Sequence, residues 1–176
     1  MSLARECIDL AAQSVKLNPA HFQAFATLAS PAPHAAAREL ERCVRVHGFR
    51  GALVCGRTRD RNVDAPEFIP IFEAVNHLNV PVYIHAQIPQ NAERQVYYSG
   101  LGEQVDLPAL DGWLGLARRD WIQVMRLILF GLLDRLPKLQ LILGHWGEVI
   151  HFYLDRIDDL SVRLRSTKRR VSEYGR

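Results

Sequence analysis

The sequence lacks any long apolar run. Its most hydrophobic stretch, Ile122 to Leu133, carries Gln123 and Arg126 and falls short of the roughly 20 residues that a bilayer helix needs, so no membrane partner is expected. No secretory leader is expected either. The opening MSLARECIDLAAQS is short and amphipathic, without successive charged, apolar and small-residue zones. Cysteine is scarce: Cys7, Cys43 and Cys55 lie far apart and match neither a zinc nor a CxxC spacing. An odd number without a leader favours reduced, buried and inert thiols in a cytoplasmic protein. No GxGxxG, Walker-type loop or GxSxG occurs, which removes the commonest dinucleotide, nucleotide and serine-hydrolase chemistries.

What is present is an ordinary globular composition. The 176 residues are 48% hydrophobic and 23% charged, enough for one core and one domain. The net charge of +3 is unevenly placed. From Ser161 onward six basic residues (Arg163, Arg165, Lys168, Arg169, Arg170, Arg176) face one acid, Glu173, so this tail carries +5 and the rest −2. A nucleic-acid protein groups its basic residues on the folded body, and no nucleic-acid partner is expected. The terminal run reads as a solvated helix face or frayed end. Residues 1–160 are thus taken as the folded domain and 161–176 as a basic C-terminal segment.

Helical and strand patterns alternate along the domain. Ala4 to Leu17 has helical spacing and stops at Asn18-Pro19, since the residue before proline is pushed out of the α region. Phe22 to Leu28 reads as a strand, Ala35 to Val46 as a helix closed by Gly48, and Phe49 to Cys55 as a second strand. After a polar connector at Asn62 to Asp64, Pro66 to Leu78 reads as a helix with proline in its first turn. Val80 to His85 is a third strand, Trp113 to Leu136 one long helix or two, and Leu139 to Gly144 a fourth strand followed by helix from Gly147. The last two strands are nearly continuous apolar runs, as in parallel sheets covered on both faces. Strict alternation with such crossovers implies a parallel α/β sheet, either a barrel or an open doubly wound sheet. One connection, Ala86 to Gly112, runs 27 residues with little periodicity. Loops of this length are commonly lids or binding loops.

Two histidines stand out by position. His85 ends the strand VPVYIH and His145 ends LQLILGH, the place at which parallel barrels hold their chemistry. The two-residue period puts Tyr83 and His85 on one face of their strand, and Leu143 with His145 on one face of theirs. Imidazole binds a divalent transition metal through its neutral nitrogen, or moves protons near neutral pH. A hydrogen-bonded strand boundary is the plainer explanation of each. His21, His34, His47 and His77 fall at element ends, where capping or solvation accounts for them, and His151 is expected to face solvent or a neighbour.

The run LQLILGHWGEVIHFYLDRID resembles the sixth-strand signature of the amidohydrolase-related decarboxylases, which act on γ-resorcylate, 5-carboxyvanillate and aminocarboxymuconate semialdehyde. NPAHFQAFATLA, ARELERCVRVHGFRGALV and DAPEFIPIFEAVNHLNVPVYIHAQ are similar and in the same order, so the likeness runs from about Asn18 to Asp158. It implies a distorted TIM barrel with one divalent metal, zinc or manganese, and a small carboxylated aromatic or cyclic substrate turned over by decarboxylation or hydrolysis. It implies a metal ligand at His85, matching the histidine after the fifth strand. His145 would match the sixth-strand histidine, an acid/base beside the metal in decarboxylases and a second ligand in hydrolytic relatives.

The same resemblance places further ligands on an acid-x-His or His-x-His after the first strand and an aspartate after the eighth. No segment here matches either, so the expected fold is a partial TIM-type (β/α)₈ barrel holding strands three to six. A full barrel takes roughly 250 residues. A half-barrel leaves two strand edges unpaired, which favours a homo-oligomer. The alternative is a non-catalytic half-barrel that self-associates or binds a partner.

Overall fold

A computed structural model describes residues 2–87, 89–97, 99–100, 102–105, 116–147, 150–164 and 167–175. In chain order it contains α1 (Ser2–Leu17), β1 (Phe25–Thr27), α2 (Pro33–His47), β2 (Gly51–Cys55), a hairpin of β3 (Arg57–Thr58) and β4 (Arg61–Asn62), and α3 (Ile69–Leu78). There follow β5 (Pro81–His85), α4 (Asn91–Tyr97), α5 (Glu103–Val105), α6 (Leu116–Leu129), α7 (Leu132–Arg135), β6 (Gln140–Leu143) and α8 (Ile150–Leu164).

Four strands form one parallel sheet in the order β1-β2-β5-β6. The expected α/β class with parallel strands is therefore present. Among the described residues the sheet does not close on itself, and β1 and β6 are its two edges. Its faces differ sharply. Ala26, Ala52, Val54, Val82 and Ile84 are at most 2% exposed, and Leu141 and Leu143 pack against the same core. That core includes Ile8 of α1, Leu40 and Cys43 of α2, Ile71, Phe72 and Val75 of α3, and Val124, Leu127 and Ile128 of α6. The alternate residues Phe25, Leu53, Cys55, Tyr83 and Ile142 are only partly buried, and Thr27 and His85 are exposed. Strand alternation thus gives one dry, helix-covered face and one half-open face. On the open face Gly51 lies beneath the Phe25 ring. A Cβ there would come within 3.0 Å of that ring and 2.7 Å of the Pro81 carbonyl.

Local chemistry explains where the elements depart from their expected bounds. The amides of His21 and Phe22 both donate to the Asn18 carbonyl (3.1 Å each), so the chain is still turning and β1 begins only at Phe25. Trp113 to Gly115 lie outside the described residues, and the helical stretch beyond them is two helices. Gly131, at φ 73, separates α6 from α7. The polar connector is a hairpin with Arg57 opposite Asn62 and Thr58 opposite Arg61.

The N-terminal helix is held by charge as well as by Ile8. Arg42 of α2 donates to Glu39 in its own helix, to Asp9 of α1 at 2.7 Å, and contacts His47 Nε2 at 2.6 Å. Glu39 is 8% exposed, so removing its cation leaves a buried carboxylate unpaired. Arg42→Ala is expected to destabilise the fold by ~1–3 kcal/mol, read as a lower urea midpoint at unchanged m-value.

Lys168, Arg169 and Arg170 of the C-terminal segment are exposed, as a solvated basic run requires, but the segment that follows them is anchored rather than frayed. Val171 is 2% exposed, Ser172 donates its amide (3.1 Å) and its hydroxyl to Asp158 of α8, and the Tyr174 hydroxyl donates to Asp134 of α7 at 2.8 Å. The Arg169 guanidinium lies 4.2 Å over the Tyr174 ring. Two carboxylates and one apolar side chain therefore strap the basic run down. Charge patterning alone could not reveal this, because the anchors Asp134 and Asp158 lie outside the run. Burial alone would raise the Asp158 pKa, but the hydrogen bonds from Ser172 and the Val171 amide, with the charge of Arg170, outweigh it and hold the carboxyl below its usual 3.8. A depressed carboxyl stabilises the folded state above the ordinary value and loses that contribution as pH falls through the acid range below it. Asp158→Asn is accordingly expected to speed Ser172 amide exchange at neutral pH, and acidification below about pH 4 to do the same in the native chain. Exchange rates corrected for intrinsic pH dependence measure both effects.

Candidate functional site

The carboxyl ends of β2, β5 and β6 form one rim. Cys55 pairs with His85, and Ile84 with Leu143. Beyond the pairing, the Gly56 amide donates to the His85 carbonyl at 3.1 Å, and Gln87 Nε2 donates to the Arg57 carbonyl at 2.8 Å. These bonds lock the start of the β3–β4 hairpin beside the end of β5. Gln123 of α6, 7% exposed, reaches over from the helix layer. It donates to Asn62 Oδ1 at 3.0 Å and accepts from the Val63 amide at 3.3 Å. Arg126 adds a two-bonded pair with Asp64 at 2.7 and 2.8 Å. Sequence pattern missed this brace, because it joins positions some 60 residues apart.

His85 sits at the end of β5, on the open face, with its ring centroid 5.9 Å from that of Tyr83. The two share a face, as the strand period requires. Its Nδ1 lies 2.7 Å from the Ala86 carbonyl oxygen. A carbonyl only accepts, so Nδ1 carries a proton, and in the neutral ring Nε2 keeps its lone pair. This is the tautomer in which metal-binding histidines are held, one nitrogen on a fixed acceptor and the other on the metal.

His145 lies beyond the end of β6, so strand alternation does not set its face. β6 ends at Leu143, one residue early, and Leu143 faces the helix layer with Ile84. Continued alternation would have carried His145 to that dry side. Instead the backbone turns left at His145, with φ 51, and enters the 3-10 turn His145–Gly147, so the pairing with Leu143 no longer governs it. A non-glycine residue at positive φ is uncommon and often marks a functional turn. Gly147 completes the turn at φ 70, and a Cβ on it would approach His151 Nε2 to 3.1 Å. The exposed His151 therefore leans on this turn. The β5–β6 register ends at Ile84 opposite Leu143, so His85 is one residue and His145 two residues past the last pair. Glu148 lies outside the described residues.

The ligand chemistry of His85 fits a divalent cation, but the ligand number is incomplete. Among the described residues no three His, Cys, Asp or Glu side chains converge as a metal-binding group. The thiols are separate. Cys43 is buried, and burial pushes its pKa up to about 11, which makes it inert. Cys55 is half-buried at the rim, and Cys7 is exposed on α1, contrary to the expectation of a buried thiol. Within the stretch from Ala86 to Gly112, α4 and α5 occur, and α4 buries none of its residues. Sequence periodicity missed α4 for that reason. No helix among the described residues is long and apolar enough to cross a membrane.

Residues 2–166 match the model of the family described as Amidohydrolase. The chain is 33% identical to a gamma-resorcylate decarboxylase of Polaromonas sp., an alignment covering 97% of this chain and 54% of that protein. It superposes on a putative amidohydrolase from Staphylococcus aureus with a TM-score of 0.93 at 36% identity, covering 98% of this chain and 57% of that one. A dihydroxybenzoic acid decarboxylase from Polaromonas sp., solved with manganese and the inhibitor 2-nitroresorcinol, matches with a TM-score of 0.83 at 33% identity, covering 97% and 53% of the two chains. The chain thus spans about half the length of these relatives.

Proposed function

The chain belongs to the amidohydrolase family, and on that premise we propose that it forms the half of a TIM-type barrel that carries His85 as a metal ligand and His145 as the acid/base of a decarboxylase. The substrate class is a small aromatic carboxylate, and the metal a divalent cation, manganese as in the Polaromonas relative. The observation that carries this is the 2.7 Å contact of His85 Nδ1 with the Ala86 carbonyl, which in the neutral ring leaves Nε2 available at the carboxyl end of β5. The half-open sheet face supports the barrel, since parallel sheets are normally covered on both sides. Among the described residues β1 and β6 are edge strands, which is compatible with a homo-oligomeric state.

A bound divalent cation would hold the substrate's oxygens and stabilise charge as carbon dioxide leaves. The residues of this chain do the rest. His85 fixes one coordination direction through its bond to the Ala86 carbonyl. His145 delivers a proton to the ring carbon as its bond to the carboxylate carbon breaks, so that the arene and carbon dioxide are the products. The rim brace of Gln123, Asn62 and Gln87 keeps the strand ends in place.

The test is titration with 2,6-dihydroxybenzoate with and without manganese. Binding is expected to require manganese and to vanish in His85→Ala, while His77→Ala, in the last turn of α3, keeps it. Manganese-independent binding, or binding indifferent to His85, would overturn the proposal. The competing non-catalytic half-barrel draws on the incomplete ligand set, and predicts no manganese-dependent ligand at all.

A further inference from the structure

We infer that Arg57 is the residue that recognises the carboxylate of the substrate. This rests on the decarboxylase reading above and names the group that holds the anionic end of its ligand. Arg57 opens β3, two residues past the pair of Cys55 with His85. The ladder continues through Gly56, whose amide donates to the His85 carbonyl at 3.1 Å, so alternation still sets the faces here. Val54, Gly56 and Thr58 turn toward the helices. Val54 belongs to the core, a Cβ on Gly56 would meet Gln123 Cγ at 3.0 Å, and Thr58 lines a small cavity with Ile71 and Phe72. Leu53, Cys55 and Arg57 therefore turn the other way, onto the open face that also holds His85.

The charge on this side chain lacks a counterpart. Arg57 is half-buried, and its Nε is buried with no hydrogen-bond partner. Arg61 in the same hairpin pairs with Glu67 at 3.0 Å, and Arg126 with Asp64 at 2.7 Å, yet among the described residues no carboxylate pairs with Arg57. Buried guanidinium donors are normally satisfied, because their desolvation is otherwise uncompensated. An anionic ligand supplies the missing acceptor, and a carboxylate matches the planar fork of a guanidinium. The backbone that carries the side chain is already fixed. The Arg57 carbonyl accepts from Gln87 Nε2 at 2.8 Å, and Arg57 pairs with Asn62 across the hairpin, so little ordering is left to oppose binding.

The test compares affinities for 2,6-dihydroxybenzoate and for resorcinol, the same diol without the carboxylate, by calorimetry with manganese present. The wild-type chain is expected to prefer the benzoate. Arg57→Gln is expected to lower that preference by about 10–100-fold, the worth of a charge-assisted hydrogen bond. Arg57→Lys keeps part of it, and Arg61→Gln, which removes the same charge from the same hairpin, keeps all of it. Manganese affinity in Arg57→Gln is expected to match wild type. On the unaltered protein, saturating 2,6-dihydroxybenzoate with manganese is expected to protect Arg57 from phenylglyoxal, read by peptide mass, whereas saturating resorcinol does not. An undiminished preference in Arg57→Gln, equal losses in Arg57→Gln and Arg61→Gln, or equal protection by the two ligands would sink the inference and leave the His85 assignment standing. A wild-type chain that binds neither ligand with manganese would sink both.

Discussion

Truncating Phe72 to alanine is expected to lower stability by about 3–5 kcal/mol, enough to remove a large part of the roughly 5–15 kcal/mol of a typical domain. Phe72 lies on α3 and is 2% exposed, among Ile71, Val75 and the other residues of the helix-covered core. The strands beneath it are short, three to five residues each, and cannot shift to fill a benzyl-sized void without breaking their register. Two costs therefore add: the lost transfer of the ring, and a cavity that the rigid sheet cannot collapse. Phe152→Ala removes the same atoms from a position 88% exposed, and should change stability by no more than about 0.5 kcal/mol. Urea unfolding of both variants settles the comparison. A Phe72→Ala midpoint close to wild type would mean that the core is looser than its burial indicates.

The same asymmetry explains what could be read without coordinates. Val82 and Ile84 are apolar because helices cover them, and Tyr83 and His85 alternate with them onto the other face; a period of two shows directly in VPVYIH. Helices with one buried stripe, such as α2, were legible for the analogous reason. Three things were not. Beyond the end of β6 the backbone is left-handed at His145, and histidine, though enriched at positive φ, adopts it in too small a share of cases to announce it. The anchoring of the C-terminal segment depends on Asp134 and Asp158, carboxylates on earlier helices that look like ordinary solvent-facing charges. The Gln123 brace depends on tertiary placement of an amide within a helix whose own periodicity is satisfied by Val124, Leu127 and Ile128. Local periodicity reports burial, whereas side-chain hydrogen bonds across the fold leave no periodic trace.

Replacing His85 with alanine is expected to weaken manganese binding by more than the roughly 10–100-fold that loss of an outer-shell partner costs, because it removes a ligand outright. The geometry makes this specific. Nδ1 is committed to the Ala86 carbonyl at 2.7 Å, so Nε2 is the nitrogen left for the proposed cation, and no rotation offers the other without breaking that bond. Catalytic metals generally take three protein ligands, and a site with few ligands loses proportionally more from each deletion. His145→Asn should behave otherwise. An acid/base residue can be lost with manganese affinity changed only a few-fold, about 1 kcal/mol or less, while proton delivery to the substrate carbon fails. Free manganese followed by its electron paramagnetic resonance signal, titrated against wild type, His85→Ala, His145→Asn and His77→Ala, separates the roles. Equal affinities in all four would remove His85 from the metal site. A loss confined to His145→Asn would exchange the two assignments, making the left-handed turn after β6, rather than the end of β5, the place where the metal is held.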